Sequence, residues 1–186
     1  MRKIVLMMSS SLDGYMEGPN REIDWHSVDE EVHQHFNDVL APMSAFLDGR
    51  VTYELMAGFW PTADQDPAST RQVAEFSRIW REMPKYVFTT TLQQADWNTT
   101  IVREVDVEAI RALKEQPGGD MAVGGADLAR EFMRHDLVDE FRIYVHPALI
   151  GAGKRIFQDA GYLRTLRLVG SRAFTNGVVL LHYARA

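Results

Sequence analysis

The stretch Asp120-Met-Ala-Val-Gly-Gly-Ala-Asp-Leu-Ala-Arg-Glu-Phe-Met133 decides the fold. It runs from a short apolar segment through two glycines into a helical pattern. Leu128, Phe132 and the pair Ala129/Met133 recur at helical spacing, which predicts a helix beginning close to Ala126. The first N–H groups of such a helix have no partner within it, and glycines let a bulky group approach them without meeting a Cβ. Together with the helix dipole they favour an anion at Gly124-Gly125. The same pair also reads as a plain strand-to-helix turn, because neither G-x-G-x-x-G nor G-x-x-x-x-G-K-[ST] occurs in the chain. Whatever this turn binds needs help from elsewhere.

Upstream, Ile4 to Met8 is apolar on both faces, which suits a central strand covered on each side. The apolar run of Met1–Met8 is too short for a signal peptide and reads as this first strand. Ser11 to Asn20, with two glycines, a proline and an asparagine, has the composition of a surface loop leaving a strand end. Ser27 and Glu30 stand at capping-box spacing before a helix whose inner face is Val28, Val32, Phe36, Val39 and Leu40, and Pro42 stops it. Ala45–Leu47 is a brief buried strand that passes through Asp48-Gly49-Arg50 into a short helix reaching Phe59. A polar loop is expected over Trp60–Asp66. Pro67 then opens a helix with Val73, Phe76, Ile79 and Met83 inward, and Pro84 ends it. Lys85–Thr91 is β-branched and aromatic enough for a strand and ends in hydroxyls. Asp106 caps a helix using Val107, Ile110 and Leu113, terminated by Pro117-Gly118-Gly119.

Downstream, Phe141, Ile143 and Val145 alternate with Arg142, Tyr144 and His146, the period-two pattern of a half-exposed strand. Asn176-Gly177 between Leu166–Phe174 and Val178–Arg185 predicts a terminal hairpin. The expected architecture is one α/β domain over 1–186: a mostly parallel central sheet with helices on both faces and a C-terminal antiparallel hairpin. In such sheets ligands bind beyond the carboxyl ends of the strands, where the glycine junctions fall.

A net charge of −6 over 186 residues, with no long basic run, disfavours binding to nucleic acid or to an anionic membrane surface. The absence of cysteine excludes disulfides and thiolate catalysis. The six histidines show no metal-ligand spacing, and no nucleophile-elbow sequence supports hydrolysis. With no apolar segment of membrane-spanning length, a cytoplasmic protein is expected.

Four segments, in order and spanning nearly the whole chain, resemble the dihydrofolate-reductase fold, a three-layer arrangement. They are Ser11-Leu-Asp-Gly14, Gly49-Arg-Val-Thr-Tyr-Glu54, Val123-Gly-Gly-Ala126, and Leu137-Val-Asp-Glu140 continuing to Pro147-Ala-Leu-Ile-Gly-Ala-Gly153 and Phe157. Within that fold they are most similar to the reductase domain of bacterial riboflavin biosynthesis and its stand-alone relatives. The resemblance implies an NADPH site in separated pieces: Gly49, Arg50 and Thr52 at phosphate, Thr89 and Thr90 at the adenosine end, and Gly124, Gly125 and Ala126 at the pyrophosphate. A guanidinium fork and helix-start N–H groups suit those phosphates. Relatives usually hold an apolar residue where this chain has Asp48, a Lys or Arg where it has Tyr15, and a Glu where it has Val123.

Hydride chemistry belongs to the nicotinamide, and the protein aligns it and helps deliver a proton. Asp13 is the candidate on the substrate side. Asp29, Glu30 and Glu31 share the start of the first long helix, where dihydrofolate reductases use a carboxylate; Glu31 adjoins the inner face, while Glu30 is taken by the capping box. Trp25 and Trp60 are candidates to wall a pocket for a flat heteroaromatic substrate. The expectation is an NADPH-dependent oxidoreductase, a homodimer, acting on a C=N or sugar-derived imine bond of a pterin- or pyrimidine-like molecule. The alternatives are 5-amino-6-(5-phosphoribosylamino)uracil reductase, dihydrofolate reductase, and a non-catalytic dinucleotide-binding protein.

Overall fold

The computed structural model describes residues 1–158 and 163–186. Its main sheet has eight strands: β1 (Ile4–Ser11), β3 (Ala45–Gly49), β4 (Lys85–Phe88), β5 (Thr99–Val102), β6 (Met121–Gly124), β7 (Glu140–His146), β9 (Leu166–Ala173) and β10 (Val179–Arg185). Their order is β5-β4-β3-β6-β1-β7-β10-β9. Every pairing from β5 to β7 is parallel, and β10 and β9 join antiparallel at one edge. A second, two-stranded sheet pairs β2 (Tyr15–Glu17) with β8 (Lys154–Arg155). The mostly parallel sheet and its terminal hairpin are as the sequence predicts.

Helices cover both faces, and strand parity decides which core each side chain joins. Ile4, Leu6 and Met8 of β1 meet α4 (Val107–Glu115) through Ile110, and α5 (Ala126–Arg134) through Leu128, Ala129 and Phe132. On the other face Val5, Phe46, Val87 and Ala122 pack with Phe76, Ile79 and Trp80 of α3 (Arg71–Glu82). Ile4, Val5 and Leu6 are all 0% exposed, so β1 must be apolar on both sides. Each large side chain buried this way contributes roughly 1.5–3 kcal/mol.

Several local expectations are corrected. The first long helix, α1 (Glu30–Leu40), is capped by Asp29, whose carboxylate accepts from Val32 N at 2.9 Å, and not by Ser27. Ser27 N is instead committed to His146 Nδ1 at 2.9 Å. Helix α3 starts at Arg71, with Thr70 as its cap, rather than at Pro67. Trp60–Gln65 is a 3-10 helix and not a loop, and α2 (Arg50–Ala57) stops short of Phe59. β7 is not half-exposed: Phe141 and Ile143 face one core while Tyr144 and His146 are fully buried on the other side, because β1 and β10 flank it and α1 packs over it. β5 has no counterpart in the sequence reading.

Candidate active site

The carboxyl ends of β4, β3 and β6 lie side by side, and the separated sequence pieces meet there. Gly49 ends β3 and Arg50 opens α2 directly behind it. Arg50, Thr89 and Thr90 line one cavity of about 460 Å³. Arg103, which follows β5, lines it too, and its guanidinium donates to Thr89 O at 3.2 Å and Leu92 O at 2.7 Å. Thr89 Oγ1 accepts from the backbone N–H groups of Thr91 and Leu92, so this turn is fixed by its own hydroxyl. Arg50 pairs with Glu54 at 2.7 Å on the surface of α2, a contact an anion would compete for. Arg103 is delivered by β5, a strand with no local signal in the sequence.

One strand over, Gly125 is the residue before α5 and has φ +85°, a conformation glycine adopts without strain. A Cβ on Gly125 would stand 2.7 Å from Thr52 Oγ1, and one on Gly124 would stand 3.0 Å from Asp48 Oδ1. Thr52, Asp48 and the two glycines therefore form one tight corner, with Ala126 as the first helical residue. Asp48 is 7% exposed and holds no hydrogen bond or ion pair among the described residues. Burial pushes its carboxyl up to about 7, opposed by the charge of Lys85. Lys85 itself is 1% exposed, donates to Met83 O and Trp97 O at 2.8 Å each, and lies 4.2 Å from the Trp80 ring centroid.

The residues expected on the substrate side separate. Asp13 receives three hydrogen bonds: Ser11 Oγ donates at 2.6 Å, Ile150 N at 3.2 Å and Gly151 N at 2.8 Å. The Ser11 hydroxyl chiefly, with those amides, holds its carboxyl below the usual range, so it binds the loop after β7 as a carboxylate. Glu31 accepts from Arg172 at 2.9 Å and from Thr175 N and Oγ1 at 3.0 and 2.6 Å, which ties α1 to the β9–β10 hairpin. With Thr175 as the main cause, its carboxyl is held down at about 2. The structure thus gives Glu31 a tethering position rather than one poised to release a proton. Trp60 packs on Phe76, with ring centroids 4.4 Å apart, and on His33 at 5.7 Å.

Trp25 instead joins a cluster the sequence did not reveal. Its ring meets His26 edge-on at 4.2 Å and His146 at 5.8 Å, while the two histidines stack at 4.9 Å. His146 is fully buried at the end of β7. Because Ser27 N donates to Nδ1, the ring proton resides on Nε2, which donates to Ser9 Oγ at 3.0 Å. His146 is therefore no base toward Ser9. Burial, then His26, lowers its pKa to about 4, so the ring is neutral.

The parallel sheet with glycine turns at adjacent strand ends defines an α/β fold whose candidate site lies at the carboxyl ends of its strands. The comparisons refine that class. The RibD C-terminal domain family matches residues 2–180, and the chain belongs to that family. It is 34% identical over 183 residues to the uncharacterised protein YyaP of Bacillus subtilis, covering 98% of this chain and 94% of that protein. It is 30% identical to the uncharacterised YwjB of the same organism, covering 100% and 99%. A putative riboflavin biosynthesis protein from Shewanella superposes with TM-score 0.78 at 21% identity, covering 100% of this chain and 99% of that one. The Thermotoga maritima diaminohydroxyphosphoribosylaminopyrimidine deaminase/5-amino-6-(5-phosphoribosylamino)uracil reductase gives TM-score 0.66 at 19% identity, and the match spans 100% of this chain and 57% of that longer one. These neighbours share the dihydrofolate-reductase-like fold.

Proposed function

We propose that the protein is an NADPH-dependent reductase of a pterin- or pyrimidine-like small molecule. The observation that carries this reading is the convergence of Arg50, Thr89, Thr90 and Arg103 on one cavity, one strand away from the Gly124-Gly125 corner. Two guanidiniums and two hydroxyls fit the phosphate and ribose oxygens of an adenosine phosphate end. The corner fits the pyrophosphate, because the start of α5 offers N–H groups that have no partner within the helix, and Gly124 and Gly125 put no Cβ in front of them. Thr52 Oγ1 adds a hydroxyl at the same place.

Bound there, NADPH would supply the hydride for a carbon–nitrogen double bond. The chain's own part is to hold and orient. Arg50 and Arg103 would hold its phosphates at one end, and the start of α5 would hold its pyrophosphate. Asp13 holds the loops that follow β1 and β7 together. Tyr15 and Val123 stand where riboflavin-pathway relatives carry a cation and a Glu, which favours a substrate other than the phosphoribosylamino-pyrimidine of that pathway. Glu31, in the first turn of α1, is bound by Arg172 and Thr175, which disfavours it as the carboxylate that a dihydrofolate reductase would use there.

Titration calorimetry with NADPH and NADH, followed by NADPH oxidation assays with pterin and pyrimidine imines, tests the reading. Micromolar NADPH binding that Arg50→Gln weakens, together with turnover of one of these imines, is the expected result. Tight binding with no turnover would leave a dinucleotide-binding protein, and no binding would remove the proposal.

A further inference from the structure

A second basic cleft lies outside the residues assigned to the dinucleotide. It measures about 790 Å³ and runs between the β2–β8 ribbon and the outer face of α5, lined by Tyr15, Arg130, Lys154, Arg155 and Gln158 with Asp127 at one side. Its shape follows from the chain. Gly153 has φ +137°, and a Cβ there would fall 2.0 Å from Glu17 O, so only glycine lets β8 lie this close to β2. Asp13, by binding the amides of Ile150 and Gly151, fixes where that bend begins. The bend lays Arg155 over Tyr15, guanidinium carbon 4.8 Å from the ring centroid, with an N–H 3.4 Å from the tyrosine oxygen.

The charges in this cleft do not cancel. Lys154 is spent on Asp127 at 2.5 Å. Among the described residues Arg130 bonds the neutral Gln158 through one terminal nitrogen, at 3.0 Å, and its buried Nε meets no partner. Neither Arg130 nor Arg155 forms an ion pair among the described residues, and the one carboxylate on the cleft, Asp127, is shared between the charge of Arg130 and its pair with Lys154. Two guanidiniums left open in a concave site, one of them stacked and so held in place, match the planar fork that binds oxyanions.

We propose that this cleft binds an oxyanion group, a phosphoryl or carboxylate, through Arg130 and Arg155, with Tyr15 as the platform that orients Arg155. The site stands on its own charges and does not require the reductase reading. The oxyanion is either a free ion or the charged group of a larger organic molecule, and both present the same oxygens to the two forks.

The experiment is titration calorimetry at low ionic strength with inorganic phosphate and, separately, ribose 5-phosphate, on the wild type, Arg155→Gln, Arg130→Gln and the double variant Arg50→Gln/Arg103→Gln. Arg155 is exposed, so its replacement leaves the fold intact, which a thermal melt checks. Binding weakened about tenfold in each of the first two variants and kept in the double variant is expected. Ribose 5-phosphate binding more tightly than phosphate identifies an organic ligand, and equal affinities identify a free ion. No binding by the wild type, unchanged binding by Arg155→Gln, or loss only in the Arg50/Arg103 variant overturns the proposal. NADPH affinity stays within about twofold in Arg155→Gln, so failure here is separable from failure of the dinucleotide site.

Discussion

The carboxylate of Asp48 lies against Gly124: a Cβ at position 124 would stand 3.0 Å from Asp48 Oδ1, with the helix start of α5 one residue beyond. A buried acid thus borders the corner expected to receive a pyrophosphate. In the fold its carboxyl titrates at about 7, against 3.8 for an unperturbed carboxyl. Between those values the folded chain holds a proton that the unfolded chain does not, so stability falls as pH rises through that window and stays low above it. Asp48→Asn removes the loss. The variant melts higher than the wild type at about pH 8, by on the order of 2 kcal/mol, and the gain shrinks at about pH 5. Equal gains at both pH values would show that the carboxyl is not the cause.

At the proposed dinucleotide site the same acid is expected to make affinity pH-dependent. As Asp48 ionises, its charge opposes the phosphates, so NADPH binding weakens by about three- to tenfold from about pH 6 to about pH 8 in the wild type. In Asp48→Asn the calorimetric affinity is flat over that range apart from the 2′-phosphate's own titration, which a parallel measurement with NADH leaves out.

Gly125→Ala places a Cβ at φ +85° and within 2.7 Å of Thr52 Oγ1. The left-handed backbone alone costs about 1–2 kcal/mol, and the Thr52 contact adds to it. Thermal unfolding therefore drops in Gly125→Ala, and Gly125→Ala/Thr52→Ala recovers only part of the loss. Full recovery in the double variant would mean that the backbone conformation costs nothing.

Glu31 serves as a fastener between α1 and the terminal hairpin. Its carboxyl is held at about 2, against 4.5 in the open chain, so its contribution is complete above 4.5 and fades as pH falls toward 2. Glu31→Gln lowers the melting temperature at neutral pH, and the difference closes under acid conditions. Turnover per folded molecule is unchanged, and a large loss of kcat at undiminished stability would return Glu31 to the chemistry.

His146 titrates at about 4 in the fold, against 6.5 in the open chain. Its contribution to stability is present above 6.5 and is lost as pH falls from there toward 4, because the unfolded chain takes up the proton first. Nitrogen NMR of the imidazole is expected to show a neutral ring protonated on Nε2 at pH 6, and the other tautomer would contradict the hydrogen bond from Ser27 N.

The parts of this fold that carry local punctuation were legible in the chain. Asn176-Gly177 announced the hairpin, Asp106 its helix, and Gly124-Gly125 the turn into α5, because each residue type answers a backbone need on the spot. β5 was not legible. It is four residues at the sheet edge, entered through Trp97 and Asn98, both at positive φ, with neither glycine nor proline to mark the turn. β7 reads as half-exposed by alternation, yet tertiary packing buries Tyr144 and His146 fully. Arg50, Thr89 and Thr90, which line one cavity, could be named from the ordered motifs, whereas Arg103, Ser9 and His146 depend on which strand ends become neighbours. The fates of Asp13 and Glu31 turn on partners some 140 residues away, at Gly151 and Thr175, which no local pattern encodes.

Asp13 joins two loops that leave neighbouring parallel strands, one after β1 and one after β7, through bonds to Ile150 and Gly151. The two loops are thereby mechanically a single flap with two roots. Neither can lengthen, shorten or swing out without dragging the other, so across divergent sequences their lengths should change in concert. A single replacement at Asp13 would loosen that flap at its root, while the bond from Leu12 N to Ala148 O and the β2–β8 pairing still hold its two halves together.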